Sequence, residues 1–405
     1  MNPIAKILLI VSLHFTLISP ALAQENSYLY QIGVKNTLHS DVLKEDREFW
    51  VQVPEDARPY EKFPVVYVLD GGEHFSALAT VHHYYWGSYI PRMILVGISN
   101  RSNRTRDLTT SKVEMGQVET GGAEKFQRFI EEELISYIDG QYPTTPYRTL
   151  IGHSYAGLFT INALINHQDA FTNYIAIDPS MDWDNQKLLK GAITKLQNKN
   201  LTGKSLFISM ASPLDRSNEN ATIEEVMQDD TENTIISRST LSLIQTAEKM
   251  DQLNFNWKYY PNDIHGSVPL PSIIDGLRFA FEWYQLKDAS KYNDPETPFE
   301  ELETLIIQRK QTLSQHFGYP APAGDEEMLN MGAYMFMQMG QMDKAKLFFQ
   351  LNVEGYPDSP NTHDSLADYY LSVDDKPKAI EQLSIAYKLS GNEIFKDRIR
   401  EIEEN

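Results

Sequence analysis

A serine stands in the segment Leu150-Ile151-Gly152-His153-Ser154-Tyr155-Ala156-Gly157, where an apolar run gives way to small residues. A helical pattern follows, carried by Leu158, Ile161, Leu164 and Ile165. Strand, sharp turn and helix with a serine at the apex form a nucleophile elbow, which exposes the hydroxyl beside free helix N–H groups. Small neighbours are required because strand and helix approach closely there. The usual pattern has glycine two residues after the serine; this chain has Ala156, with Gly157 next. A plain helix N-cap is the alternative reading of these few residues.

A serine hydroxyl needs a base, and in a sheet of this kind the base is a histidine late in the chain. His265 fits: it lies in the turn-rich segment Asn262-Asp263-Ile264-His265-Gly266-Ser267, after the last strand pattern and before the last helix pattern of the region. An acid orients such a histidine. The expected place is after the strand 205–210, where Asp215 is the nearest acid; Glu219, Asp229, Asp230 and Asp263 are alternatives, as is a dyad without an acid. Oxyanion donors are expected from the backbone N–H of Tyr155 and from the glycine turn Asp70-Gly71-Gly72, through Gly71 or Gly72. His74 follows that turn and is a candidate to line the pocket. Arg104 and Arg106 could hold an anionic substrate; a loop network between Arg106 and Asp107 is the competing reading.

These residues need a scaffold, and the chain supplies an alternation. Continuous apolar runs at 64–69, 93–98, 149–151, 174–177 and 205–210 read as strands buried on both faces. Residues 47–54 alternate as an early antiparallel strand. Helical stretches lie between, at 75–85, 123–139, 185–196, 234–253 and 270–285. The order predicts an α/β fold, a mainly parallel doubly wound sheet whose ligands bind at the carboxyl ends of the strands.

Past residue 290 the pattern becomes wholly helical. A helix is expected over 299–316, then a turn at Gly318-Tyr319-Pro320-Ala321-Pro322, then self-similarity at an offset of 34 residues, pairing Gly332 with Leu366 and Ala345 with Ala379. That period resembles a tetratricopeptide repeat. The Met-rich stretch 328–342 reads as repeat core, with a peptide groove as the alternative. The expected organisation is a leader over 1–23, a catalytic domain over 24–290, a helical linker over 291–324 and helical repeats over 325–405.

Bulk properties restrict the function. The chain has 405 residues, no cysteine and a net charge of −20. Thiol nucleophiles and cysteine metal sites are excluded, and so acidic a surface repels nucleic acid and anionic lipid. Lys6, the apolar run 7–18 and Ala21-Leu22-Ala23 read as a secretory signal cleaved after Ala23, giving an exported protein, periplasmic or secreted, with no membrane anchor left. The spacing of the histidines suggests no metal, and no phosphate loop implies a cofactor.

Together the segments Tyr67-Val68-Leu69-Asp70-Gly71, Val96 to Asn100, Arg104 to Thr109, Phe126 to Tyr137, Gly152 to Gly157 and His265 to Pro269 resemble the Putative esterase family of α/β-hydrolases. That group includes enterochelin-type siderophore esterases, feruloyl and acetyl esterases, S-formylglutathione hydrolase and mycolyltransferases. The resemblance implies an α/β-hydrolase fold and Ser154 with His265 as catalytic pair. It also implies Gly71 or Gly72 with Tyr155 as oxyanion donors, and a small-molecule ester of siderophore, sugar or feruloyl type as substrate. This chain departs from it at Ala156 and at Ser212-Pro213, where relatives carry a glutamate. An acyltransferase on the same scaffold, and a non-catalytic protein that binds a partner through its repeats, are the rival readings.

Overall fold

The computed structural model describes residues 32–404; the expected leader, 1–23, lies outside them. The chain opens with β1 (Val34–Ser40) and β2 (Glu45–Gln52), then β3 (Phe63–Val68), α1 (Gly71–Tyr85), β4 (Ile94–Ile98) and the short α2 (Arg104–Leu108). Next come α3 (Ala123–Arg128), a π-helical turn Phe129–Leu134 and α4 (Ile135–Gln141), which together form one continuous helical rod. The centre follows with β5 (Thr144–His153), α5 (Tyr155–Asn166), β6 (Asn173–Ile177), α6 (Trp183–Gln197) and β7 (Ser205–Ser212). The sheet region closes with α7 (Ile223–Gln228), α8 (Ile235–Ala247), β8 (Asn254–Ile264) and α9 (Pro269–Ala280).

Eight strands make one sheet in the order β1-β2-β4-β3-β5-β6-β7-β8. The first two pairings, β1 with β2 and β2 with β4, are antiparallel and every later pairing is parallel. β1 carries no continuous apolar run and mostly faces solvent, so hydrophobic patterning does not announce it. β3, β4 and β6 are buried along their whole length, as strands covered on both faces must be. One face packs under α5 and the α3–α4 rod through Phe126, Phe129, Phe159 and Leu158. The other packs under α1 and α9 through Phe75, Leu78, Ile273 and Leu277.

The chain continues through α10 (Ala289–Asn293) and α11 (Phe299–Phe317) into α12 (Glu326–Gln338), α13 (Met342–Gly355), α14 (Pro360–Ser372), α15 (Lys376–Ser390) and α16 (Glu393–Glu404). α12 and α14 begin 34 residues apart, as do α13 and α15. At the crossing of α12 and α13 a Cβ on Gly332 would stand 2.8 Å from the Phe348 ring, which explains the small residue there. Met328, Met335 and Met337 pack against the core of this helical region, which also holds Phe336, Phe348 and Phe349. The helices are bolted to the sheet region through buried Glu326, which pairs with Arg58 and accepts from Tyr60 Oη at 2.7 Å. No helix among the described residues is long and apolar enough to cross a membrane.

Candidate active site

β5 ends at His153, and Ser154 turns the chain with φ 62° and ψ −118° before α5 begins. A non-glycine residue held there costs on the order of 1–3 kcal/mol and persists only where its surroundings enforce it. The enforcement is visible. Ser154 N–H donates to Ile177 O at 2.9 Å, and Ser154 O accepts from Leu158 and Ser180. A Cβ on Gly152 would lie 2.2 Å from Ala156 O, and one on Gly157 would lie 2.9 Å from the Pro179 Cβ. The close approaches therefore fall on Gly152 and Gly157, while Ala156 is accommodated as a fully buried methyl. Ser154 Oγ sits 3.4 Å from Ser180 Oγ, a neighbour that sequence reasoning did not anticipate.

His265 follows β8 directly. Its Nδ1 lies 2.6 Å from Asp178 Oδ2, and its ring packs on that of His153 with centroids 4.4 Å apart. The partner of His265 is thus Asp178 and not Asp215. Asp215 turns back on its own loop, where Oδ1 accepts from the N–H and the hydroxyl of Ser217, both at 2.7 Å. Glu219 and Asp230 make no hydrogen bond to His265; Asp229 accepts from Thr231 and Thr234, and Asp263 from Ser267. Asp178 directly follows β6, the strand beside β5, and its other oxygen accepts from Ala211 N–H at 3.1 Å. With Nδ1–H committed to the carboxylate, Nε2 keeps the lone pair a base needs.

The glycine turn is built as expected on the other side. Asp70 takes a left-handed φ of 52° and caps α1. Gly71 is the residue that must lack a side chain, since a Cβ would meet Gly97 backbone at 2.5 Å; Gly72 has room. The N–H groups of Gly71, Gly72 and Tyr155 donate to no acceptor among the described residues. They stand at the N-termini of α1 and α5, where helix dipoles favour negative charge.

Arg104 spans the two halves. Its Nε donates to Asp70 Oδ2 at 2.9 Å, its NH2 reaches His153 O at 3.3 Å, and its guanidinium lies over the Tyr155 ring at 5.5 Å. Arg106, expected as an anion contact, is spent elsewhere: it pairs with Glu45 and with Asp107, which in turn holds Arg47 at 2.6 Å. The competing reading, a loop network, describes what the side chain touches. His74 packs edge-on against His153 with centroids 5.5 Å apart, and its Nε2 is buried without a partner.

Burial sets the charge states. It pushes the His153 imidazole down to about 3, helped by His265 beside it, so the ring beneath His265 is neutral. Burial lowers His74 as well. Asp70 is pushed up to about 6 by burial, against the opposing pull of Arg104. Among the described residues no group of three or more His, Asp or Glu is arranged to hold a metal ion. A serine with strained backbone, an imidazole oriented by a carboxylate and three free amides can together drive acyl transfer from an ester to water.

The chain has relatives. The model of the Putative esterase family matches residues 40–253, which include Ser154 and Asp178 and stop short of His265. Ferri-bacillibactin esterase BesA of Bacillus subtilis (strain 168) is 33% identical over 162 residues, 35% of this chain and 56% of that protein. The siderophore triacetylfusarinine C esterase of Aspergillus fumigatus is 28% identical over 167 residues, 37% of this chain and 56% of that protein. The chain thus spans little more than half the length of the curated relatives it matches. Among solved structures, an IroE-like serine hydrolase from Shewanella oneidensis superposes with a TM-score of 0.66 at 26% identity, covering 80% of this chain and 99% of that one. An uncharacterised protein from Capnocytophaga ochracea has a TM-score of 0.57 at 17% identity and covers 92% of this chain and 99% of its own, a likeness of fold.

Proposed function

The chain belongs to the Putative esterase family, and on that premise we propose that it hydrolyses carboxylic esters through a covalent acyl-serine. One observation carries the mechanism: Asp178 holds His265 at 2.6 Å beside the strained elbow that presents Ser154. Ser154 Oγ attacks the ester carbonyl while its proton passes to His265 Nε2. The oxyanion is met by the N–H of Tyr155 and by that of Gly71 or Gly72. His265 returns the proton to the departing alkoxide, which leaves as the alcohol. Water then adds to the acyl-serine with His265 again as base, releasing the acid and restoring Ser154. Asp178 orients the imidazole and balances its charge without taking the proton.

Water has ready access, since the His265 side chain is 54% exposed. That exposure favours hydrolysis over transfer to another alcohol. The substrate class we propose is a siderophore-type ester. Its support is that the relatives are a ferri-bacillibactin esterase and a siderophore triacetylfusarinine C esterase, together with the one-third exposed Arg104 cation beside the serine. In this reading the leader sends the protein out of the cytoplasm and the helical repeats offer a protein-binding surface; neither bears on the chemistry.

The test is hydrolysis of p-nitrophenyl butyrate by residues 24–405 beside Ser154→Ala and His265→Ala. Both variants should lose at least about a thousandfold in kcat with unchanged circular dichroism. Activity that persists in both removes the serine mechanism. A macrocyclic catecholate or hydroxamate triester, offered with and without iron, then tests the substrate class.

A further inference from the structure

A cavity of about 460 Å³ opens between the sheet region and the helical extension, at the ends of β3 and β5 remote from Ser154. Its walls come from both parts: Phe63 and Thr145 from the sheet, Arg309 from α11, Asp325 ahead of α12. The volume lies within the range of small-molecule sites, roughly 300–1,000 Å³.

Its polar groups are unusual in what they do not do. Arg309 makes no hydrogen bond and no ion pair among the described residues, and its Nε is buried without a partner. The Tyr284 ring lies 5.4 Å from its guanidinium carbon. Thr145, from the sheet, lies against the Tyr319 hydroxyl. The Asp325 carboxylate takes no side-chain hydrogen bond, and its low-dielectric surroundings raise its affinity for a proton. Asp325 feels the charge of Arg92 first and that of Arg309 after it, yet forms an ion pair with neither among the described residues. By contrast Arg92, on the same wall, is satisfied by Glu61 at 3.1 Å and by Asp56. Buried polar atoms are normally paired, and the Arg309 Nε is one that is not. Around these groups Tyr284, Tyr319 and Phe317 provide aromatic surface.

We propose that this cavity is a binding site for a small zwitterion with an aromatic side chain, an α-amino acid or its close analogue. The carboxylate takes the Arg309 fork, the ammonium faces Asp325 across the gap the two leave, and the ring lies among the tyrosines. Because both parts of the chain supply walls, occupancy ties the helical extension to the base of the sheet. The site is distinct from the serine centre: Thr144 and His153 stand at opposite ends of the ten-residue β5.

Isothermal titration of residues 24–405 with L-phenylalanine tests this, with phenylacetate and phenethylamine as single-charge probes. Saturable binding of L-phenylalanine is expected, with each single-charge probe weaker by about tenfold or more. Arg309→Gln and Asp325→Asn should each weaken it by a similar factor and leave p-nitrophenyl butyrate hydrolysis unchanged. Thr145→Val, on the sheet wall, provides a variant independent of the helices. Absence of saturable L-phenylalanine binding to the unsubstituted protein overturns the proposal. So does binding that survives both charge substitutions, or equal affinity for phenylacetate.

Discussion

Replacing Asp178 by Asn isolates the carboxylate that the structure pairs with His265. The change is nearly isosteric: Asn Oδ1 can keep the bond from Ala211 N–H, now 3.1 Å, so the fold should tolerate it. What is lost is the charge, 2.6 Å from Nδ1, at the moment the imidazole becomes cationic. Two unit charges with centres about 4 Å apart attract by ~4 kcal/mol at an effective dielectric of ~20 and by ~1 kcal/mol in bulk water. The Asp178 side chain is 13% exposed and that of His265 54%. The pair therefore sits between the limits, at about 2–3 kcal/mol. That stabilisation grows in the transition state, so its loss falls on kcat, by roughly 30- to 150-fold. The amide also donates toward Nδ1 and favours the wrong tautomer, which adds a factor of about ten or more. The expected kcat for p-nitrophenyl butyrate is thus lower by between about 10² and 10⁴, with KM little changed. Asp215→Asn, the control, should keep kcat within about twofold and cost about 1 kcal/mol of stability through its bonds to Ser217. A D178N enzyme retaining half its kcat, or a D215N enzyme that falls as far, refutes the assignment.

Other outcomes follow from local packing and charge. Gly152→Ala drives a Cβ to 2.2 Å from Ala156 O and 2.6 Å from Thr160 Oγ1, so urea melts should show a loss of about 1–3 kcal/mol or more. Ala156→Gly, which restores the commoner motif, should change stability by no more than about 1 kcal/mol. Glu45 is held down to about 2, chiefly by its hydrogen bond to Arg106 and against burial. Its stabilising contribution is complete above about 4.5 and disappears as pH falls toward 2. Glu45→Gln should therefore lose about 1–3 kcal/mol at pH 7 and show a flatter pH dependence of stability between those values, read by denaturation at several pH values.

The elbow at Ser154 was legible because it is local: the turn and its small neighbours lie within Gly152 to Gly157, and α5 follows at once. The place of His265 between the last strand and the last helix of the sheet region was legible from topology. Asp178 was not. The acid was sought after β7 because the order of strands suggests that slot, and there Asp215 satisfies itself on its own turn. The overlooked signal was adjacency: β6 pairs with β5, Ile177 stands opposite His153, and the next residue is the aspartate. The parallel strands were legible as apolar runs; β1 was not, because an edge strand half open to water needs no such run. Arg104 and Arg106 could not be separated by sequence, since two residues along a single helical turn decide which of them meets the site.

The charges that fix α2 have a consequence for the medium in which the protein works. α2 has only five residues, too few to be stable alone. It is riveted to β2 by Arg47 and Asp107, whose side chains are 5% and 1% exposed. Dissolved ions screen exposed charges beyond about 8 Å at physiological ionic strength but barely reach buried ones. On a chain of net charge −20, rising salt quiets the repulsion of the outer surface and leaves this inner rivet untouched. The seating of α2 is therefore insulated from salinity, while the one-third exposed Arg104 that it carries stays open to screening.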